Sequence, residues 1–160
     1  MLKIQTWIKN EILRKVSEEI KPVEFNTYFK LGKEMIKYIK NPKNWWVWLA
    51  APQVWFNKRL IVVSLIKDWD DEKYPTIMMV NPVILEKSEE TCIEREWCLS
   101  VPGKKWEVLR PKNIKISFID DKKKEITLYL SWLSARIVQH EIDHLDWILF
   151  IDRLIKKDLV

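Results

Sequence analysis

Only two histidines occur in the sequence, and both fall in QHEIDHLD, residues 139–146. On a helix His140 and His144 stand one turn apart on a shared face, so their imidazole nitrogens can converge on one ion. Glu141 lies on the same turn, within reach of a water held by that ion, which is the arrangement metal-assisted hydrolysis needs. The same pattern occurs by chance on solvated helices. Here the segment has an apolar side and takes up every histidine in the chain, which favours the metal reading.

Such a centre needs a third protein ligand and one open position. With no third histidine, the remaining soft donors are Cys92 and Cys98. Cys98 sits in EREWCLSVPG, where a strand end running into a Pro-Gly turn can point a side chain into a cleft. Cys92, in EETCIE, reads as a half-buried structural thiol. Context favours Cys98, and the residue types alone leave both open. One thiolate with two imidazoles suits Zn²⁺ or Fe²⁺.

The elements that must position these residues are legible from periodicity. EILRKVSEEI (11–20) is a short helical or extended lead-in. YFKLGKEMIKYIKN (28–41) places Leu31, Met35, Tyr38 and Ile39 at helical spacing, and Asn41-Pro42 ends the helix. RLIVVSLI (59–66) and TIMMVNPVIL (76–85) read as buried strands. NIKISFID and EITLYLSW, joined across DKKK, alternate as a hairpin does. From about Ser134 the pattern turns helical again. Helices bracketing antiparallel strands predict an α+β fold.

The chain has 160 residues, 48% apolar and 32% charged, with net charge +5. That suits one domain spanning 1–160 with a real core and excludes wholesale disorder. The mild basic excess is read as a solvated face. Two cysteines suit a reduced, cytosolic protein. Charge interrupts the N-terminal stretch, and no run approaches the ~18 apolar residues of a membrane span. One ratio is abnormal: 10 Trp stand against 2 Gly, whereas glycine at about 7% would number roughly 11 here. Together the two counts come close to that figure.

LAAPQ (49–53), EWCLS (96–100) and QHEIDH (139–144) together resemble the three signature segments of peptide deformylases, in the family's order and spacing. The family pattern runs glycine, any residue, glycine, apolar, Ala-Ala-Pro/Thr-Gln; then Glu-Gly-Cys-Leu-Ser; then His-Glu-x-Asp-His. The departures are of one kind. Trp46 and Trp48 replace the two glycines of the first segment, and Trp97 replaces the glycine before Cys98. Trp55 and Trp147 also fall where such enzymes commonly carry glycine. Trp7, Trp45, Trp69, Trp106 and Trp132 sit in turn-like or segment-edge contexts. Glycine serves where φ is positive or backbones approach closely, and an indole fits neither. A UGA codon that some bacteria read as glycine, written out as tryptophan, would leave this signature. Gly32 and Gly103 would then come from ordinary glycine codons. The competing reading is a tryptophan-rich relative that is catalytically impaired or only binds.

The resemblance implies antiparallel strands packed around a central metal-binding helix. It implies a bacterial, cytoplasmic hydrolase of protein biosynthesis that removes the formyl group from N-terminal formyl-methionine, releasing formate. Cys98, His140 and His144 would hold one divalent ion, Fe²⁺ first, with Zn²⁺ or Ni²⁺ as alternatives. Glu141 would act as acid and base. The backbone N–H of Leu99 and the side-chain amide of Gln53 would steady the oxyanion. Trp46, Val47 and Trp48 would lie beside the substrate as an added strand. Val47 and Ile137 would line an apolar pocket for the methionine side chain, with plain core packing an equal alternative for Ile137. Asp143 either orients a ligand histidine or faces solvent, and Gln53 by itself reads as an exposed turn residue.

The implied partners are formyl-methionyl nascent peptides. A transient ribosome contact through DRLIKKDLV (152–160) is weighed against an ordinary charged tail. No DNA or membrane partner is expected. Two rivals stand beside this reading. A generic zinc metallopeptidase lacks a third ligand downstream and leaves EWCLS unexplained. A binding protein would have its cleft filled by authentic indoles.

Overall fold

α1 (Phe25–Ile39) forms because Phe25, Phe29, Met35 and Ile39 recur on one face and are buried. A Pro22-led turn starts it, with the Glu24 carboxylate accepting the Lys21 N–H at 2.9 Å. Gly32 lies on the buried face against Met78, which leaves no room for a Cβ. The computed structural model describes residues 2–7, 9–44, 46–66 and 74–153. Trp45, Trp69 and residues 154–160 of the basic tail lie outside them.

Among the described residues seven strands follow: β1 (Trp48–Ala50), β2 (Leu60–Ser64), β3 (Thr76–Lys87), β4 (Thr91–Cys98), β5 (Val101–Pro111), β6 (Asn113–Ile119) and β7 (Glu125–Ser131). Five make an antiparallel sheet in the order β1-β2-β3-β6-β7, and β4 pairs with β5 in a separate hairpin. α2 (Trp132–Leu145) closes the order. The chain is thus a mixture of helix and antiparallel sheet. No helix among the described residues is long and apolar enough to cross a membrane.

The buried strand β2 shows how the layers are arranged. Its side chains alternate between two apolar clusters. Ile61 and Val63 pack with Ala50, Met79, Ile116 and, from α2, Ile137 and Ile142. Leu60 and Val62 pack with Leu49, Val80 and, from α1, Phe29 and Met35. The run LIVV (60–63) is apolar throughout because both of its faces are covered. β6 and β7 form the expected hairpin, its turn tied by Asp120 Oδ1, which accepts the N–H groups of Lys122 and Lys124 at 2.9 and 2.8 Å.

Two expectations need correction. The chain reverses after Cys98 at Leu99–Ser100, and Pro102-Gly103 belongs to β5. α2 is buried from Ser134 to Leu145, polar residues included, where a one-sided apolar stripe was expected.

Among the described residues, six other than glycine have positive φ, and four of them are tryptophans: Trp7 (83°), Trp55 (75°), Trp132 (53°) and Trp147 (60°). A bulky side chain in this region is a steric outlier costing about 1–3 kcal/mol.

Candidate metal centre

α2 presents His140, Glu141 and His144, and the end of β4 delivers Cys98. One donor atom from each of Cys98, His140 and His144 lies within 4.8 Å of the others. Cys98 Sγ is 3.1 Å from His144 Nε2. Donors sharing a tetrahedral ion at bond lengths of ~2.0–2.3 Å stand roughly 3.5 Å apart, so the spacing suits joint coordination. His140 Nε2 and both carboxylate oxygens of Glu141 are buried with no hydrogen-bond partner among the described residues. Buried polar atoms are normally satisfied, and a cation with its water would supply these partners.

The electrostatics favour the same occupant. Burial pushes the Cys98 thiol far above its usual range, and the Glu141 charge adds to the shift. A thiolate here therefore needs a cation beside it. Burial pushes His144 well below its usual range, helped by His140 and Arg110, so its ring is neutral and able to ligate. Burial also raises the Glu141 carboxyl well above the carboxylate range. Arg110 opposes this, while Glu96 and Asp143 add to it.

Glu96 is the residue the sequence reading missed. Its side chain turns inward from β4, and Oε2 faces His140 Nδ1 at 2.9 Å, leaving Nε2 as the ring nitrogen free to ligate. Arg110 grips Glu96 with two bonds of 2.6 and 2.8 Å, and Arg136 adds a third at 2.7 Å. Burial opposes the charge on Glu96, but the bonds from Arg110 and His140 outweigh it and hold the carboxyl well below its usual range. The signal was present: Glu96 opens the cysteine segment and shares strand parity with Cys98. Arg110, distant in sequence, gave none.

Asp143 does not face solvent and does not meet a ligand histidine. It accepts from Arg110 at 2.7 Å and from Arg153 at 2.5 and 2.6 Å. Gln53 is no exposed turn residue either: it is fully buried. Its Oε1 accepts the Ala50 N–H at 2.9 Å, and its Nε2 points to Ser100 Oγ at 3.1 Å and Cys98 Sγ at 3.4 Å. The amide donor is therefore aimed at the cluster. Leu99 occupies the turn directly after Cys98. Cys92 lies away from the cluster, its sulfur 3.4 Å from Arg136.

β1 is an edge strand of the sheet, and Val47 before it accepts the Ser64 N–H at 2.8 Å. Trp48 packs against His140 at 6.4 Å and against Trp97 at 6.3 Å, with Trp46 at 5.3 Å. Ile137 is buried in the core and also lines a small cavity beside His140.

The polypeptide deformylase family model matches residues 1–159. The chain belongs to the peptide deformylase family. A peptide deformylase of Synechocystis sp. is 37% identical over 148 residues, which cover 92% of this chain and 76% of that protein. Among solved structures, a probable peptide deformylase from Synechococcus phage S-SSM7 is 42% identical. It has a TM-score of 0.84 and covers 96% of this chain and 100% of its own. A class I type b peptide deformylase from Acinetobacter baumannii, crystallised with Met-Ala-Ser bound, is 32% identical with a TM-score of 0.86, covering 96% and 98%. Among these deformylases nothing supports the impaired or binding-only alternative.

Proposed function

We propose that the chain, working as one domain, deformylates nascent peptides at a centre built from Cys98, His140 and His144 on and against a central α2. The observation that carries this reading is three buried donors within 4.8 Å of one another, with the unpartnered Glu141 carboxylate beside them. A divalent cation there would supply positive charge, polarise the formyl carbonyl and lower the pKa of a water from ~15.7 towards ~7. A mixed sulfur and nitrogen donor set accepts Fe²⁺, Zn²⁺ and Ni²⁺ alike, and it is the resemblance to the family that puts Fe²⁺ first.

Glu141 then takes the proton of the attacking water and returns it to the departing amine, a role suited to a carboxyl whose buried site keeps its proton affinity high. The Gln53 amide and the Leu99 N–H steady the negative charge that grows on the formyl oxygen. Glu96 holds His140 in the tautomer that leaves Nε2 free. The edge of β1, with Trp46, Val47 and Trp48, is where an extended peptide adds as a strand. The Acinetobacter relative's bound Met-Ala-Ser supports a methionine pocket here, with Val47 and Ile137 among its walls. Contact with the ribosome and a cytoplasmic location belong to the same reading.

Formate release from formyl-Met-Ala-Ser by protein loaded with iron under anaerobic conditions tests it. Turnover that vanishes in Cys98→Ala together with bound metal is the expected result. Turnover surviving without metal would overturn the assignment.

A further inference from the structure

We infer that the polypeptide made by this gene's own ribosomes carries glycine, read from UGA, at positions 7, 46, 48, 55, 97, 132 and 147, and that this decoding opens the groove to the metal centre. Two independent observations carry it. The first is backbone conformation. Trp7, Trp55, Trp132 and Trp147 all have φ between 53° and 83°, a region glycine enters freely and bulky residues avoid. All four are more than half exposed, so none of them is a core residue whose full burial would offset the strain. Trp147 follows the last residue capping α2, where helices commonly end in a left-handed glycine.

The second observation is the groove. A cavity of about 50 Å³ lies beside His140, Glu96 and Ile137, large enough for a few waters and far below the ~300 Å³ at which small-molecule pockets begin. A second cavity of about 470 Å³ lies beyond it, bounded by Ile39, Asn41, Val47 and Ser64. Trp48 and Trp97 line both cavities, so their indoles form the partition, and Trp46 packs onto it. Without those side chains the two spaces join into one cleft ending at His140.

Trp106 marks where the inference stops. Its φ is ordinary, its ring packs on Phe150 at 6.1 Å, and it lines neither of the two cavities. Of the two glycines that are written as such, Gly103 sits at φ 73°, and a Cβ at Gly32 would press on the Met78 side chain.

Peptide sequencing by mass spectrometry of the protein isolated from its source cells decides the decoding without any activity measurement. Glycine at the seven positions, with an intact mass below 19.4 kDa by one indole-bearing side chain per conversion, is expected. An indole at 48 or 97 overturns the inference and leaves the deformylase assignment standing. A glycine chain that fails to release formate sinks the assignment and leaves the decoding standing. Recombinant variants test the physical argument separately. Glycine at 7, 55, 132 and 147 should raise the thermal midpoint of the tryptophan chain, and an unchanged midpoint counts against the inference. Adding Trp48→Gly and Trp97→Gly should tighten Met-Ala-Ser binding by about tenfold or more, whereas equal binding would show that the indoles are no partition.

Discussion

The two faces of the five-stranded sheet are packed by different chemistry. On the α1 side, Phe25, Phe29, Met35, Leu49, Val62 and Val80 meet as apolar surfaces. On the α2 side an apolar layer also lies against the sheet, but the far side of the helix is held by buried ions. There Arg110 joins Glu96 to Asp143, and Arg136 and the exposed Arg153 extend the chain of bonds at its two ends. Hydrophobic burial is non-directional and sets distance well but orientation poorly. Charged hydrogen bonds have fixed geometry and are costly when half made. The helix that must aim two imidazoles is the one fastened by them. The teaching is that the α1 face supplies cohesion while the α2 face supplies alignment.

The comparison breaks first at the reaction itself. Glu141 belongs to neither apolar cluster, so in Glu141→Ala the fold and bound metal should persist while kcat falls by ~10²–10⁴; elemental analysis beside formate release checks both. Retained turnover would show that the alignment serves something other than Glu141.

Stability comes next. Arg110→Met leaves Glu96 and Asp143 short of a partner in the interior and should cost ~3–5 kcal/mol in urea unfolding. Met35→Ala opens a cavity on the other face and should cost ~2–5 kcal/mol. The sharper distinction is what accompanies the loss. Arg110→Met should also weaken metal retention by freeing Glu96 and the His140 ring, whereas Met35→Ala should leave it unchanged.

A smaller effect separates the faces by pH. The folded pKa of Glu96 is depressed, so its ionised form stabilises the fold above the unfolded carboxylate value of ~4.3. That contribution is lost as pH falls below this value towards the folded one. Unfolding at pH 7 and pH 3 should show a drop that shrinks in Glu96→Gln and persists in Met35→Ala. An equal drop in all three proteins would place the acid sensitivity elsewhere. Smallest of all, Ile93→Thr on the exposed side of the β4–β5 hairpin should change stability by no more than ~0.5 kcal/mol.

Legibility followed the range of each interaction. His140, Glu141 and His144 could be read together because a helix turn places them by local geometry, and Cys98 because a motif marks it. Both helices and the β6–β7 hairpin were visible because their apolar residues repeat with the period of the element. For Gln53 and Asp143 an exposed position stood as the alternative because composition says polar residues usually face water. Their burial depends on Ser100 and Cys98 for one and on Arg110 and Arg153 for the other.

Local order in the chain therefore decided which donor atoms exist, their spacing along α2 and the family to which they belong. Tertiary structure alone decided that the Cys98 sulfur meets the histidines, that Glu96 rather than Asp143 steadies His140, and that Trp48 and Trp97 stand between two cavities. The physical reason is that periodicity and turn chemistry act over a few residues. Desolvation and charge pairing act between any groups the fold brings into contact, and the bonds of Arg110 to Glu96 and Asp143 span 14 and 33 positions.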